Sequence, residues 1–219
     1  MKKLIFDLDG TLIDTVYNHT MSWKMAFNEC GWNVDTWKIH RKIGMASRLF
    51  VEILAEDIGF KASEEEISHL KQRHTELFEE YFSYRKPLNG ALNIFKYLNN
   101  NNISYGIATS GTKPLINKSL DSLQLSDGIP LVCGDEVVNT KPAPDLFLRC
   151  MEKMSVLPDD CYVVGDSTWD IIAAHNAGIS KPIGLLTGGT GSKELHDAGA
   201  YKVYKDLVQL EKSLPELGL

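Results

Sequence analysis

Short, mostly apolar runs alternate with stretches of helical periodicity along this sequence, and this alternation restricts the fold more than any other feature. Each run is only a few residues long and is bounded by turn-forming residues. Apolar runs of that length are typical of strands that are buried on both faces of a parallel sheet. We therefore predict strands at residues 4–6, 104–108, 131–133, 162–164, 183–186 and 202–204.

The stretches between the later runs have the spacing of helices, and their ends are marked. Pro114 falls in the first turn of one helix, and Gly178 follows the last residues of another. A strand followed by a helix, repeated along the chain, predicts a sheet that is layered by helices. The fold class that we predict is α/β, a Rossmann-like doubly wound parallel sheet, with helices at residues 113–123, 144–153 and 170–177.

The alternation stops between residues 15 and 84, where helical periodicity continues without a strand candidate. Ser63, followed by three glutamates, is a capping-box-like helix start, and Pro87 and Gly90 mark the return to the sheet. We predict an all-helical cap at residues 15–84, inserted into a core formed by residues 1–14 and 85–219. The predicted helices of this cap are residues 16–30, 36–43, 47–58 and 63–82.

Two segments of the predicted core have the composition of loops. Residues 99–102 are rich in asparagine, and residues 187–193 are rich in glycine. The second segment lacks the G-x-x-x-x-G-K-[ST] spacing of a nucleotide-binding loop. We interpret it as a flexible surface loop.

Composition excludes several classes of protein. The chain has 219 residues with 29 acidic against 23 basic side chains, and this balance argues against a nucleic-acid-binding protein. No apolar run approaches the length of a membrane span, and the apolar stretch at the start ends at Asp7, which argues against a signal peptide. The four cysteines form no C-x-x-C pair, so we expect reduced thiols and a cytoplasmic protein.

Two pairs of acidic residues follow predicted strands. Asp7 and Asp9 come directly after the first strand, and Asp166 and Asp170 follow the strand at 162–164. Ligands of open parallel sheets bind at the carboxyl ends of the strands, so both pairs are expected at the edge where an active site forms. Carboxylates that share a site repel one another unless a cation lies between them, and Mg²⁺ prefers such hard oxygen ligands. The sequence therefore predicts a Mg²⁺ site.

Other loops bring donors and a positive charge to the same edge. Ser110 and Gly111 follow the strand at 104–108 with a hydroxyl and a free backbone N–H, and Lys141 adds an ammonium group. A transferring phosphoryl group requires a metal, an ammonium group and such donors. Each residue alone also has a structural explanation, since Ser110 could cap a helix and Asp170 could interact with a helix dipole.

These segments together resemble a known family. Asp7-x-Asp9-Gly10-Thr11, Thr109-Ser110-Gly111, Lys141-Pro142 and Gly165-Asp166-Ser167-x-x-Asp170 are similar to the four ordered motifs of the haloacid dehalogenase superfamily. The resemblance covers essentially the whole chain, including the helical insert after the first motif.

The resemblance implies a phosphoenzyme mechanism. Asp7 would attack phosphorus and become an aspartyl phosphate. Asp9 would act first as general acid and then as general base, a role that favours a raised pKa. Mg²⁺ would be held by the Asp7 side chain, the Asp9 backbone carbonyl and Asp166, with Asp170 in support. The residues implied to hold the phosphoryl oxygens are Thr11, Ser110, Gly111 and Lys141.

The resemblance leaves more than one activity open. Asp9 argues against dehalogenases and phosphonate-cleaving relatives, which lack an Asp there, so a phosphatase or a phosphomutase remains. His19-x-x-x-Trp23 and Gly44-x-x-x-Arg48 resemble cap segments of β-phosphoglucomutase, in which the Arg binds a second phosphate. Similar residues occur in phosphatases, and all three could instead be structural.

Our prediction is a Mg²⁺-dependent phosphatase of a small phosphorylated metabolite such as a sugar phosphate or phosphoglycolate. The alternatives are a β-phosphoglucomutase-like phosphomutase and, outside enzymes, a receiver-like phospho-Asp signalling domain. Lys71 and Arg73 are both candidates for a cap lysine of the mutase type. We expect a monomer or a homodimer.

Overall fold

The computed structural model describes residues 2–82, 84–125 and 128–219. These residues form a six-stranded parallel sheet in the order β3-β2-β1-β4-β5-β6. The strands are β1 (Lys3–Phe6), β2 (Tyr105–Ala108), β3 (Leu131–Val132), β4 (Cys161–Gly165), β5 (Ile183–Leu185) and β6 (Lys202–Tyr204). Each strand falls on one of the apolar runs, so the predicted parallel sheet is confirmed.

Helices cover both faces of the sheet. Along β1, Leu4 and Phe6 face one hydrophobic core, while Ile5 between them faces the other, as the two-residue repeat of a strand requires. The core helices are α5 (Ala91–Asn100), α6 (Lys113–Ser122), α7 (Asp145–Met154), α8 (Thr168–Asn176), α9 (Ser192–Asp197) and α10 (Leu207–Ser213). α5, α6 and α10 contribute to the first core, and α7 and α8 to the second. This arrangement is the predicted doubly wound fold.

The prediction of a loop at residues 99–102 is wrong in its first half. Asn99 and Asn100 end α5, and the turn follows at residues 101–102. The amphipathic pattern of Ile94, Phe95 and Leu98, which are buried in the sheet core, extends the helix into the asparagines. Tertiary packing of one face therefore outweighs the low helix propensity of asparagine.

Four helices lie between β1 and α5 and share a hydrophobic core of their own. They are α1 (Val16–Glu29), α2 (Thr36–His40), α3 (Ser47–Asp57) and α4 (Glu64–Tyr81). Phe27, Phe50 and Leu70 are buried in this core. Ser63 and Glu66 form the expected capping box at the start of α4. We refer to α1–α4 as the helical insert, and its division from the core at residues 15 and 84 stays a prediction.

Two backbone segments connect the insert to the sheet and bond to each other. The Asp14 N–H donates to Lys86 O at 2.9 Å, and the Leu88 N–H donates to Leu12 O at 2.8 Å. The entry and exit of the insert are thus held side by side.

Two further predictions concern the whole chain. Cys133, Cys150 and Cys161 are buried and Cys30 is half-buried, and all four are free thiols. Among the described residues, no helix has the length and apolar composition that crossing a bilayer requires.

Candidate active site

Asp7 and Asp166 emerge side by side because β1 and β4 are neighbours. The Asp7 N–H donates to Val164 O at 2.9 Å, which fixes this register. Asp170 lies in the first turn of α8, immediately beyond β4. Carboxylate oxygens of Asp7, Asp166 and Asp170 lie within 4.8 Å of one another, and all three residues are buried. The structure thus brings together three of the predicted acidic residues.

Lys141 supplies a positive charge to this cluster. Its ammonium forms an ion pair with Asp7 and lies 2.7 Å from Asp170 Oδ1. Although burial disfavours the charged form, the two carboxylates raise the pKa of Lys141 above its usual range. Lys141 is therefore charged, and it contacts the predicted nucleophile directly.

One ammonium group does not balance three buried carboxylates. Burial raises the pKa of Asp7 to about 7, and repulsion from Asp170 and Asp9 adds to this while Lys141 opposes it. Burial and then repulsion from Asp170 and Asp7 raise the pKa of Asp166 well above its usual range. A cluster of hard oxygen ligands with excess negative charge suits a divalent cation such as Mg²⁺.

Two residues orient these carboxylates. The Thr11 hydroxyl donates to Asp166 Oδ1 at 2.9 Å, and Thr11 is fully buried. The carboxylate of Asp170 is held by Ser167. Its Oδ2 accepts hydrogen bonds from the Ser167 N–H at 3.0 Å and from the Ser167 hydroxyl at 2.6 Å. The resemblance implies that Thr11 contacts the phosphoryl group, and this stays a prediction, while in the structure the Thr11 hydroxyl orients Asp166.

The glycine-rich segment begins against the carboxylates, so its interpretation as a flexible surface loop is wrong for Thr187 and Gly188, whereas Gly189, Gly191 and Lys193 are exposed. Gly188 is buried, and a Cβ at this position would overlap Asp166 Oδ2. The Thr187 hydroxyl donates to Gly10 O. The segment follows β5, which is next to β4, and this placement brings it to the same sheet edge. The rule that sites form at carboxyl ends of strands could have indicated this.

Asp9 points away from the carboxylate cluster. Its Oδ1 accepts a bond from the Thr15 hydroxyl at 2.6 Å and lies 3.3 Å from His19 Nε2. Burial raises its pKa, but attraction to His19 and the bonds from His19 and Thr15 outweigh burial, so the pKa of Asp9 is lowered. The expected raised pKa is therefore contradicted. The cause is His19, whose contact with Asp9 the sequence did not reveal.

A cavity of about 110 Å³ separates the sheet edge from the helical insert. Asp7, Asp9, Ser110 and Gly111 line its sheet side. The Ser110 hydroxyl donates to Gly44 O of the insert at 3.1 Å. The prediction of a free N–H at Gly111 is wrong, since this group donates to Thr109 Oγ1 at 3.0 Å.

The insert lines the opposite side of the cavity, although not with every predicted residue. His19 and Trp23 line it, as do Lys42 and Lys71. Arg48 does not, because its guanidinium bonds Glu64 at 2.7 Å and Glu52 at 2.9 Å and its side chain is 55% exposed. Arg48 thus forms surface ion pairs at the start of α3 and does not line this cavity, and its contact with substrate stays a prediction.

Lys71 and Arg73 are the two candidates for the cap lysine of the mutase type, and of these Lys71 lines the cavity. Arg73 instead pairs with Glu29 and Glu76 on the surface of the insert. Sequence reasoning missed Lys42, which gives no periodic or motif signal. It also missed His74, which is buried with its Nε2 3.1 Å from His19 Nδ1.

Comparison with known proteins identifies the family of this chain. The family model of haloacid dehalogenase-like hydrolases matches residues 4–181. The chain is 30% identical over 207 residues to the phosphorylated carbohydrates phosphatase of Thermotoga maritima, covering 94% of each chain. It is 29% identical over 185 residues to the beta-phosphoglucomutase of Bacillus subtilis, covering 82% of this chain and 81% of that one. A solved hydrolase from Pseudomonas syringae has a TM-score of 0.95 at 36% identity, covering 99% of both chains.

The chain belongs to the haloacid dehalogenase-like hydrolases. This membership confirms the family and the fold that the motifs predicted. The phosphatase among these relatives supports the predicted class of enzyme.

Proposed function

We propose that this protein is a Mg²⁺-dependent phosphatase that hydrolyses a small phosphorylated metabolite through an aspartyl phosphate on Asp7. The observation that carries the proposal is the contact of Asp7 with Lys141 at one end of the cavity, within reach of two further buried carboxylates. Asp9 lines the same cavity without joining that cluster. One carboxylate is thus available as nucleophile and a separate one for proton transfer.

The carboxylate cluster fits a divalent cation. Asp7 and Asp166 would hold Mg²⁺ together with the Asp9 backbone carbonyl, and Asp170 would support them. When bound, the ion offsets negative charge on the phosphoryl oxygens and on the carboxylates. Thr11 and Ser167 hold Asp166 and Asp170 in place by hydrogen bonds.

The chain's own residues divide the chemistry among them. Asp7 attacks phosphorus, and the proton that the leaving oxygen needs comes from Asp9, whose carboxyl must hold a proton in the substrate complex although its pKa is lowered in the protein alone. Asp9 then removes a proton from the water that hydrolyses the aspartyl phosphate. Ser110 and Lys141 hold the phosphoryl oxygens, and the helical insert limits the access of bulk water.

Lys42 and Lys71 support a substrate that has a second anionic group. Both line the cavity on the side of the insert, and neither ammonium has a carboxylate partner among the residues that the structure describes. A sugar bisphosphate or phosphoglycolate has such a group. The relative named for phosphorylated carbohydrates agrees with a sugar phosphate.

A phosphomutase is the second candidate, because a beta-phosphoglucomutase is among the relatives. A mutase returns the phosphoryl group to a sugar hydroxyl, whereas a phosphatase transfers it to water. The ion pairs of Arg48 with Glu52 and Glu64 outside the cavity argue against the mutase, since Arg48 carries the resemblance to the second-phosphate site of that enzyme.

The test is one panel of sugar phosphates and phosphoglycolate in which free phosphate and isomerised sugar phosphate are both measured. We expect free phosphate as the main product, and isomerisation without phosphate release would favour the mutase. D7N should lower phosphate release at least roughly 1,000-fold. D14N changes an exposed aspartate near the insert and should retain activity. Turnover retained in D7N would overturn the assignment of the nucleophile.

A further inference from the structure

Four aromatic rings connect α1 and α4 beside Asp9. His19 stacks on Phe78 with ring centres 3.9 Å apart, and His74 stacks on Trp23 at 4.2 Å. The two histidines are joined by a contact of 3.1 Å between His19 Nδ1 and His74 Nε2. His19 Nε2 in turn lies 3.3 Å from Asp9 Oδ1. A continuous series of contacts therefore leads from the core of the insert to the acid–base carboxylate.

His74 has no role in the mechanism described above. It is 5% exposed, and burial, followed by the neighbouring His19, lowers its pKa well below the usual range, so the ring is neutral at pH 7. Packing alone would be satisfied by an apolar ring at this position. A ring nitrogen instead faces His19, and a buried polar atom is retained at a cost unless it has a partner.

The bond at one nitrogen of a histidine fixes what the other nitrogen can do. A carboxyl oxygen without a proton can only accept, so in the 3.3 Å contact His19 Nε2 donates to Asp9 Oδ1, and the proton that Asp9 exchanges is carried on Oδ2. His74 bonds the opposite nitrogen and keeps the ring of His19 from turning over. Both bonds described for Asp9 fall on Oδ1 within the part of the chain that the structure covers, and Oδ2 is left for the substrate.

We propose that His74 is a positioning residue that acts through His19 to hold Asp9 Oδ1, so that proton exchange with substrate and water takes place at Oδ2. This inference rests on the proposed function, because it assumes that Asp9 is the acid–base group. The inference gives a role in the reaction to His74, a residue that belongs to none of the sequence motifs.

The first test replaces the nitrogen while keeping a ring of similar shape. H74F retains the stacking on Trp23, and we expect kcat for p-nitrophenyl phosphate to fall roughly 10- to 100-fold with KM changed less than about twofold. H74Q restores a polar nitrogen and should recover part of the loss. H69F changes an exposed histidine of the same helix and should leave kcat unchanged.

A double variant separates positioning from packing. If His74 acts only through His19, the H19F/H74F protein should lose no more kcat than H19F alone, because the two changes remove one function. In the wild type, ¹H–¹⁵N spectra of the histidine rings should show His19 with its proton on Nε2. In H74F, the same spectra should show His19 as a mixture of tautomers. The melting temperatures of H74F and H74Q should be equal.

Three results would overturn the proposal. They are a kcat of H74F within twofold of the wild type, losses that multiply in the double variant, and a His19 ring signal that H74F does not alter. If the wild type hydrolyses no phosphomonoester, the proposed function fails, whereas the His19 ring signal still decides whether His74 fixes its tautomer.

Discussion

At the level of single residues, Lys42 and Lys71 offer the sharpest test of the substrate. Charged hydrogen bonds contribute about 1.5–3 kcal/mol, and because Lys42 is half-buried and Lys71 is exposed, we expect the lower end of this range. We expect K42A and K71A each to raise KM about tenfold for a substrate with a second anionic group. For p-nitrophenyl phosphate, which has no such group, KM should change little.

A matched control for these variants is K61A, which removes an exposed lysine of the insert outside the cavity. It should leave KM unchanged for every substrate. Equal effects of K42A on both kinds of substrate would mean that the lysine attracts the phosphoryl group itself, and the proposed second anionic group would lose its support.

The residues that could be predicted are those whose chemistry is tied to a strand end. Asp7, Asp166 and Asp170 meet because the carboxyl ends of parallel strands share one edge. Arg48 could not be placed in this way, because the direction of a side chain on a surface helix depends on its partners, here Glu52 and Glu64. The contact between His19 and His74 joins two helices whose packing the sequence does not specify.

At the level of elements, the segment after β5 shapes the metal-binding side of the site. Gly188 touches Asp166 so closely that a methyl group has no space there. G188A should displace Asp166 by a fraction of an ångström to an ångström, and such a displacement can cost roughly 100-fold in kcat. The fold should survive at a cost of about 1–3 kcal/mol in unfolding free energy. Steady-state kinetics and urea unfolding measure the two effects.

The control for this element is G191A, the same change in the same segment at an ordinary backbone conformation. Its Cβ would lie 3.1 Å from Glu194 Oε2, the end of a flexible side chain. If G191A and G188A lose activity equally, the loss reflects flexibility of the segment rather than contact with Asp166.

The sequence predicted elements well where apolar periodicity defines them. It predicted them poorly where tertiary contacts define their position. The six strands and the capping box of α4 follow from local pattern. The glycine-rich segment has no pattern of its own, so its position depends on β5 and on the contact of Gly188 O with His40 Nε2 at 3.0 Å. A segment without apolar periodicity is predicted to be flexible from its sequence even when tertiary contacts hold it in place.

At the level of the whole molecule, the buried carboxylates link metal binding to stability. Asp7, Asp166 and Asp170 repel one another with one ammonium group in contact with them, and a cation that binds only the folded state stabilises it by mass action. At a concentration 100 times the dissociation constant, Mg²⁺ should add about 2.7 kcal/mol, or roughly 5–10 °C in melting temperature for a chain of this size. D166N removes one of the repelling charges, so it should melt higher than the wild type in EDTA and respond little to Mg²⁺. EDTA should also abolish phosphate release by the wild type, and added Mg²⁺ should restore it. Equal Mg²⁺ responses of the wild type and D166N would mean that the cation binds elsewhere, and the three carboxylates would then need another partner.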